Sequence, residues 1–148
     1  MDFIRVSRAV TVTVVILIPT LLACGDGRPK RVPVSGIVTI DGKPLTCGFI
    51  TLKPKDARPS TGNIGKDGRF TLTCFEKGDG AVEGTHAVAV NAFEQLNSNT
   101  LRWHAPKKYS NPNTSGKTVT IDGPTDSLTI ELSWEGGRPF DENIGGGE

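Results

Sequence analysis

The sequence predicts an all-β protein, a single antiparallel β-sandwich of about seven strands, and three observations carry that expectation. Short segments between residues 34 and 91 alternate apolar and polar side chains with a period of two, the repeat of a half-buried strand rather than a helix. Asp-Gly pairs punctuate those segments at Asp41-Gly42, Asp67-Gly68 and Asp79-Gly80. The 148 residues include 18 glycines and 10 prolines but only 6% aromatics, and leucine-rich helical periodicity is hard to find, a profile of strands joined by turns. A chain of this length has room for one ordinary domain plus a short accessory segment.

Residues 1–8 hold two arginines, and 9–22 form an apolar run broken only by threonines and Pro19. This is the charged and apolar succession of a secretory signal. A permanent span is the competing reading, but about 14 residues at ~1.5 Å each fall short of a ~30 Å hydrocarbon core. The run ends in Leu21-Leu22-Ala23-Cys24, which resembles the lipobox of bacterial lipoproteins. The resemblance implies a diacylglycerol thioether on Cys24, cleavage before it, and acylation of the new amine. Small Ala23 suits a tight protease pocket, and a thiolate is the natural nucleophile for attaching lipid. The bland alternative is an ordinary cleavage site followed by a chance cysteine.

Several acyl chains hold more firmly than one, so the anchor is expected to be stable. Gly25, where an aspartate would retain the protein, implies by the same resemblance passage to an outer membrane or the cell surface. The expected organisation is a signal peptide over 1–23, a lipidated tether over 24–33, the sandwich over 34–134 and a flexible acidic, glycine-rich tail over 135–148. Arg28, Lys30 and Arg31 in the tether read as solvated linker charges or as contacts to anionic headgroups.

The strands follow in order. Val34, Gly36, Val38 and Ile40 share one face, with Ser35 and Thr39 on the other. Asp41-Gly42-Lys43-Pro44 is a turn because glycine accepts positive φ and proline fixes its own. Residues 49–53 make a second strand closed by Pro54, and 60–64 a short third that enters the turn Gly65-Lys66-Asp67-Gly68. Residues 69–75 make the fourth, with Phe70 and Leu72 on one face and Thr71 and Thr73 on the other. The pair around Asp67-Gly68 carries the strongest hairpin signal in the chain. Residues 76–84 are a loop, and 85–91 place His86, Val88 and Val90 on one side. The Asp-Gly pairs do not read as calcium loops, because no segment sets acids at alternate positions before a closing glutamate.

Three stretches, Val34-Ser35-Gly36-Ile37-Val38-Thr39-Ile40-Asp41-Gly42-Lys43-Pro44-Leu45, Lys66-Asp67-Gly68-Arg69-Phe70-Thr71-Leu72 and Gly84-Thr85-His86-Ala87-Val88-Ala89-Val90, resemble the carboxypeptidase regulatory-like domain. That resemblance covers about residues 34–134 and implies a transthyretin-like, Ig-like sandwich. More narrowly, the chain is similar to short bacterial lipoproteins made of a lipobox and one such domain. Family members often carry an aromatic where this chain has His86. The family has no common catalytic residues, so the resemblance implies none here.

Residues 93–116 are the least regular part. Trp103, His104, Lys107, Lys108 and Tyr109 form a basic and aromatic patch, read as a candidate binding loop or as a cap on an open end of the sandwich. Resembling sequences also carry a Lys-Tyr element before a Thr-Ser-Gly turn, as in Lys108-Tyr109 and Thr114-Ser115-Gly116. Residues 117–122 and 127–134 supply two more strands around Gly123-Pro124, with Leu128, Ile130, Leu132 and Trp134 facing one way.

With Cys24 given to lipid, Cys47 and Cys74 remain, either as a disulfide closing about 27 residues or as two small buried thiols. The histidines, His86 in a strand and His104 in a loop, stand in no H-E-x-x-H context, and no G-x-S-x-G is present. No metal site, catalytic residue or cofactor is expected. The formal charge of +1 falls to zero once Asp2, Arg5 and Arg8 leave with the signal, which argues against nucleic acid as a partner. The leading expectation is a non-enzymatic binding or structural module of the cell envelope, tied to the membrane through its lipid and meeting an envelope protein or a polysaccharide. The alternative is a small periplasmic enzyme or metal-dependent hydrolase in which His86 and His104 share a pocket with a carboxylate.

Overall fold

The computed structural model describes residues 27–145. The expected signal segment and the expected lipidation position Cys24 lie outside the described residues. Among those described, no helix is long and apolar enough to cross a membrane.

Thirteen strands follow one another among the described residues. The first eight are β1 (Arg31–Val32), β2 (Val34–Ile40), β3 (Lys43–Pro44), β4 (Phe49–Pro54), β5 (Ser60–Asn63), β6 (Arg69–Thr71), β7 (Ala81–Val82) and β8 (Gly84–Asn91). After them come β9 (Phe93–Asn97), β10 (Thr100–Trp103), a 3-10 turn over Lys107–Ser110, β11 (Thr118–Ile121), β12 (Thr125–Leu132) and β13 (Phe140–Asn143).

Two sheets make the sandwich. One runs β11-β8-β4-β5, and the other is built on β2, which is flanked by β12, β3 and β6. The period-two faces expected for β2, β6 and β8 are the buried ones. Val34, Val38, Phe70 and Leu72 from one sheet meet Ile50, Leu52, Val88 and Val90 from the other, joined by Ile121, Ile130 and Leu132. Truncating a fully buried leucine such as Leu72 in a core of this kind costs about 2–5 kcal/mol.

Three departures from the expected topology have physical causes. First, the sandwich is not wholly antiparallel, because β12 runs parallel to β2 from Thr125↔Val34 to Leu132↔Ile40. The Gly123-Pro124 link carries the chain from one sheet to the other, so β12 lies beside β2 instead of turning back on β11. Second, the Asp67-Gly68 turn forms, with Gly65 N–H donating to the Arg69 carbonyl at 2.8 Å, but its arms separate. β5 pairs with β4 and β6 with β2, leaving only the bridge Thr61↔Thr73 between them. That bridge stitches the two sheets together at one corner.

Third, the segment expected to be a tether already joins the fold at its end. Arg31 and Val32 pair with Val82 and Ala81, so the fold begins at Arg31 and not at Val34. Arg31 is held by Asp79 at 2.8 Å, both side chains being largely buried. Three guanidinium groups, of Arg28, Arg31 and Arg58, sit 4.8–5.0 Å from the Phe75 ring centroid. Burial pushes the Asp79 carboxyl up, but hydrogen bonds from the amides of Cys74, Glu76 and Phe75, together with the charge of Arg31, outweigh it and hold the group below the ordinary carboxylate range.

Cys47 and Cys74 are free thiols. Cys47 precedes the start of β4, whereas the Cys74 Sγ lies 3.7 Å from the Arg58 carbonyl, beyond the other end of that strand. A six-residue strand spans roughly 17–20 Å, far beyond the ~7 Å Cα separation that a disulfide tolerates.

The close approach of β12 to β2 leaves no space at Gly36, where an added Cβ would collide with the Leu128 carbonyl, while a Cβ at Gly42 would meet open space. Gly36→Ala is therefore expected to lower the urea midpoint by more than Gly42→Ala. A clash with a backbone carbonyl sets Gly36→Ala toward the upper end of the about 1–3 kcal/mol that overpacking costs, against about 1–2 kcal/mol for a side chain at the positive φ of Gly42. Equal midpoints for the two variants would show that β12 does not press on β2. Asp79 has a depressed folded pKa, so its contribution is present above its ordinary value and is lost as pH falls through the depressed one. Asp79→Asn should lower the melting temperature at pH 7, and the gap to the parent should shrink below about pH 3.8. A pH-independent gap would remove the carboxylate from that role.

Candidate functional site

Residues 93–116, expected to be irregular, instead build most of a third sheet. β9 continues from β8 after Ala92, whose carbonyl accepts from His104 N–H at 2.7 Å. The β9–β10 hairpin turns at 97–100, where Asn99 N–H donates to Asn97 Oδ1 at 2.9 Å. On its other side β10 pairs with β13, from Thr100↔Asn143 to Trp103↔Phe140. The segment expected to be a flexible tail therefore contains a strand. Its alternation of Phe140 and Glu142 with Asp141 and Asn143 is the signal that the glycines around it obscured.

The face of this sheet that carries Trp103 is aromatic. Trp103 lies 5.3 Å from Phe93 in a tilted arrangement and 6.4 Å from Phe140 in a stacked one. Trp134 meets Phe140 edge-on at 6.5 Å. Each such pair contributes about 0.5–1.5 kcal/mol beyond its burial. The Trp103 Nε1–H donates to Glu142 Oε2 at 2.8 Å, and Lys107 Nζ stands 5.3 Å over the indole while it pairs with Glu142. Across the sheet Arg102 grips Asp141 with two bonds, at 2.7 and 2.9 Å.

The charges follow this geometry. The hydrogen bond to Asp141 pushes the Arg102 guanidinium further above its ordinary range, and the same bond holds Asp141 down. Lys107 and then Trp103 hold the Glu142 carboxyl down, and Glu135 raises Lys108. These pairs are solvent-exposed and individually weak.

The five residues of the expected binding loop thus divide. Trp103 is 8% exposed and Tyr109 3%. The Tyr109 hydroxyl donates to the Ser133 carbonyl and accepts from Ser133 N–H, both at 3.3 Å, so the phenol caps one end of the sandwich. Lys107 and Lys108 are engaged by Glu142 and Glu135. His104 Nε2 lies 3.4 Å from Glu94 Oε2. The exposed apolar surface is elsewhere. Among the described residues the exposed large hydrophobics are Phe49, Phe93, Leu96, Phe140 and Ile144, and all but Phe49 belong to the third sheet or its rim.

The two histidines are not brought together. His86 is fully buried at the Pro54 rung of β8, its Nε2 2.8 Å from the Val82 carbonyl, whereas His104 sits beyond the far end of that strand. About six residues at ~3.4 Å each separate them, and no single pocket holds both. Among the described residues no group of three or more His, Cys, Asp or Glu is placed to hold a metal ion. Burial and then the Glu94 charge push the Cys47 thiol up, which keeps it in the unreactive protonated form.

One further depression, a groove of about 860 Å3, opens at the corner where β5 and β6 meet. Thr61, Thr71, Thr73, Asn63, Arg69 and Lys77 line it, and its one aromatic, Phe70, faces the core. Neither a family model, nor a curated protein, nor a solved structure matches this chain.

Two carboxylates whose protons are held more weakly when docked than when free add to the docking of β13. Their contribution is present in full above their ordinary values of 3.8 and 4.5 and is lost as pH falls through the depressed ones. Protection factors at 140–143, taken against the intrinsic exchange rate at each pH, should fall below about pH 4, and Glu142→Gln should lower them at pH 7, with β4 and β8 unchanged in both cases. A loss of protection spread evenly over all strands would mean that β13 is part of the global fold.

Proposed function

We propose that this protein is a lipid-anchored, non-enzymatic module of the cell envelope that presents its third sheet for recognition. The observation that carries the reading is the placement of that sheet. β1, where the tether enters, pairs with β7 at the start of β8, while β9 leaves from the other end of β8. Eight residues of strand set the two about 27 Å apart. A lipid on Cys24 would then hold one end near the bilayer, and the patch of Phe93, Leu96 and Phe140 would project from the opposite end. Solvent-facing apolar side chains gathered on one small sheet and rimmed by charge have the character of an interaction surface.

The partner favoured by this surface is an envelope protein. β9 pairs with β10 on one side only among the described residues, and a free edge accepts an extended polypeptide through main-chain hydrogen bonds. A polysaccharide would meet exposed rings at Phe93 and Phe140 but makes no use of the main-chain donors and acceptors of the free β9 edge. The lipoprotein and regulatory-domain resemblances of the sequence agree with this reading and supply its anchoring half. The separation of His86 and His104 weighs against the enzyme alternative, which needs both in one pocket.

Two measurements test the proposal. Radiolabelled palmitate should enter the full-length protein and not its Cys24→Ala variant, and absence of label from the parent would end the anchoring half. In capture from detergent-solubilised envelopes, Phe93→Ala with Leu96→Ala should lose the partners that the parent retains, at least several-fold. Identical recovery by the two proteins would discard the third sheet as the recognition surface.

A further inference from the structure

We propose that the β10 edge is a strand-addition site for an acidic extended segment, and that its occupant alternates between the chain's own 138–143 and the same segment of a second copy. Four observations point there. The docked strand matches its site by charge, since Asp141 meets Arg102 and Glu142 meets Lys107 and the indole N–H of Trp103. Such complementarity fixes register and orientation more than it adds affinity. No residue after Leu132 belongs to the hydrophobic core cluster, so the segment can leave without opening the sandwich.

The link that precedes it is built to open. Residues 134–137 make a tight turn closed by Gly137 N–H donating to the Trp134 carbonyl at 2.9 Å, and it holds Glu135 at φ 52. A side chain in that left-handed region is strained, and the strain is relieved when the turn extends. Extended, the six residues from Trp134 to Pro139 reach about 20 Å, enough to pass from one small domain to a neighbour. Finally, every contact that the segment makes within its own chain is reproduced when two copies exchange it, so the exchanged pair loses none of them. The idea rests on the anchoring reading in one respect: copies tethered to one bilayer meet at high local concentration, which favours exchange.

The test uses full-length protein in cells. Thr100 and Asn143 are direct partners across β10 and β13 and lie outside the ion pairs, so a Thr100→Cys, Asn143→Cys double variant should form an internal disulfide in the monomer beside an intermolecular one in exchanged pairs. Differently tagged Thr100→Cys and Asn143→Cys chains, coexpressed, should form a covalent heterodimer several-fold above the background of either variant alone. An internal bond in the double variant without a heterodimer in the mixture would overturn the exchange. Absence of the internal bond would overturn the docked strand and the exchange with it.

A charge-reversed pair gives a second readout. Arg102→Asp and Asp141→Arg each repel their own segment, yet the site of the first is complementary to the segment of the second. Mixed, they should yield several-fold more dimer than either alone, and no gain on mixing would again reject the exchange. Failure of palmitate labelling with the heterodimer still formed would remove the anchor and leave the strand exchange standing.

Discussion

Strand β2 carries a glycine as its third residue, and the packing of one whole sheet follows from that. Gly36 lies against the Leu128 backbone so closely that no Cβ fits, which lets β12 run alongside in parallel register. β2 also takes β6 and β3 on its other side, so three strands depend on one seven-residue segment. Parallel pairing gives slightly less per residue than antiparallel. Here the deficit is offset by what it aligns, since Ile130 and Leu132 enter the same layer as Val34 and Val38.

That arrangement leaves the sandwich closed at one corner and open at the opposite one. Thr61 and Thr73 exchange backbone hydrogen bonds at 2.8 and 2.9 Å and join the sheets. On the far side β11 and β12 each have one paired neighbour among the described residues, and a groove of about 270 Å3 with Val119, Lys117 and Glu131 on its rim runs between them. The threonines and charges of these edges have the polar character that discourages edge-to-edge pairing. The third sheet is different in kind, because its exposed positions include Phe93, Leu96 and Phe140.

Local chemistry was legible in the sequence where one residue's conformation decides the outcome, and illegible where a distant pairing does. The buried faces of β2, β6 and β8 followed from period-two alternation, and the Asp41-Gly42 turn from the positive φ that both residues adopt. The partners of β5, β6 and β12 did not follow, since a turn residue fixes the direction of the chain but not which sheet the next strand joins. Of the two readings of Trp103 and Tyr109, a binding loop or a cap, their burial favours the cap. Ser133, which bonds the Tyr109 hydroxyl, ends a segment expected to be a strand, whereas Phe140 beside Trp103 comes from a stretch whose glycines suppress the strand signal. Arg102 was visible only as one charge in a basic loop, because its partner Asp141 stands 39 positions later.

The fold separates two kinds of stability along the length of β8. At the tether end, Asp79 draws on the amides of Cys74, Glu76 and Phe75 and on the largely buried Arg31, and a carboxylate so surrounded is costly to disturb. At the other end, the β13 strand is retained by exposed ion pairs and ring contacts that salt and acid both weaken. The proposed anchoring and strand exchange would both draw on that asymmetry. Were the two ends reversed, with loose pairs around Arg31 and buried carboxylate bonds on the third sheet, release of β13 would cost far more than release of β1. The sharing of Phe75 by three guanidinium groups at the first end, and the exposure of Phe140 at the second, set a shielded ion pair and an open aromatic surface at opposite ends of one strand.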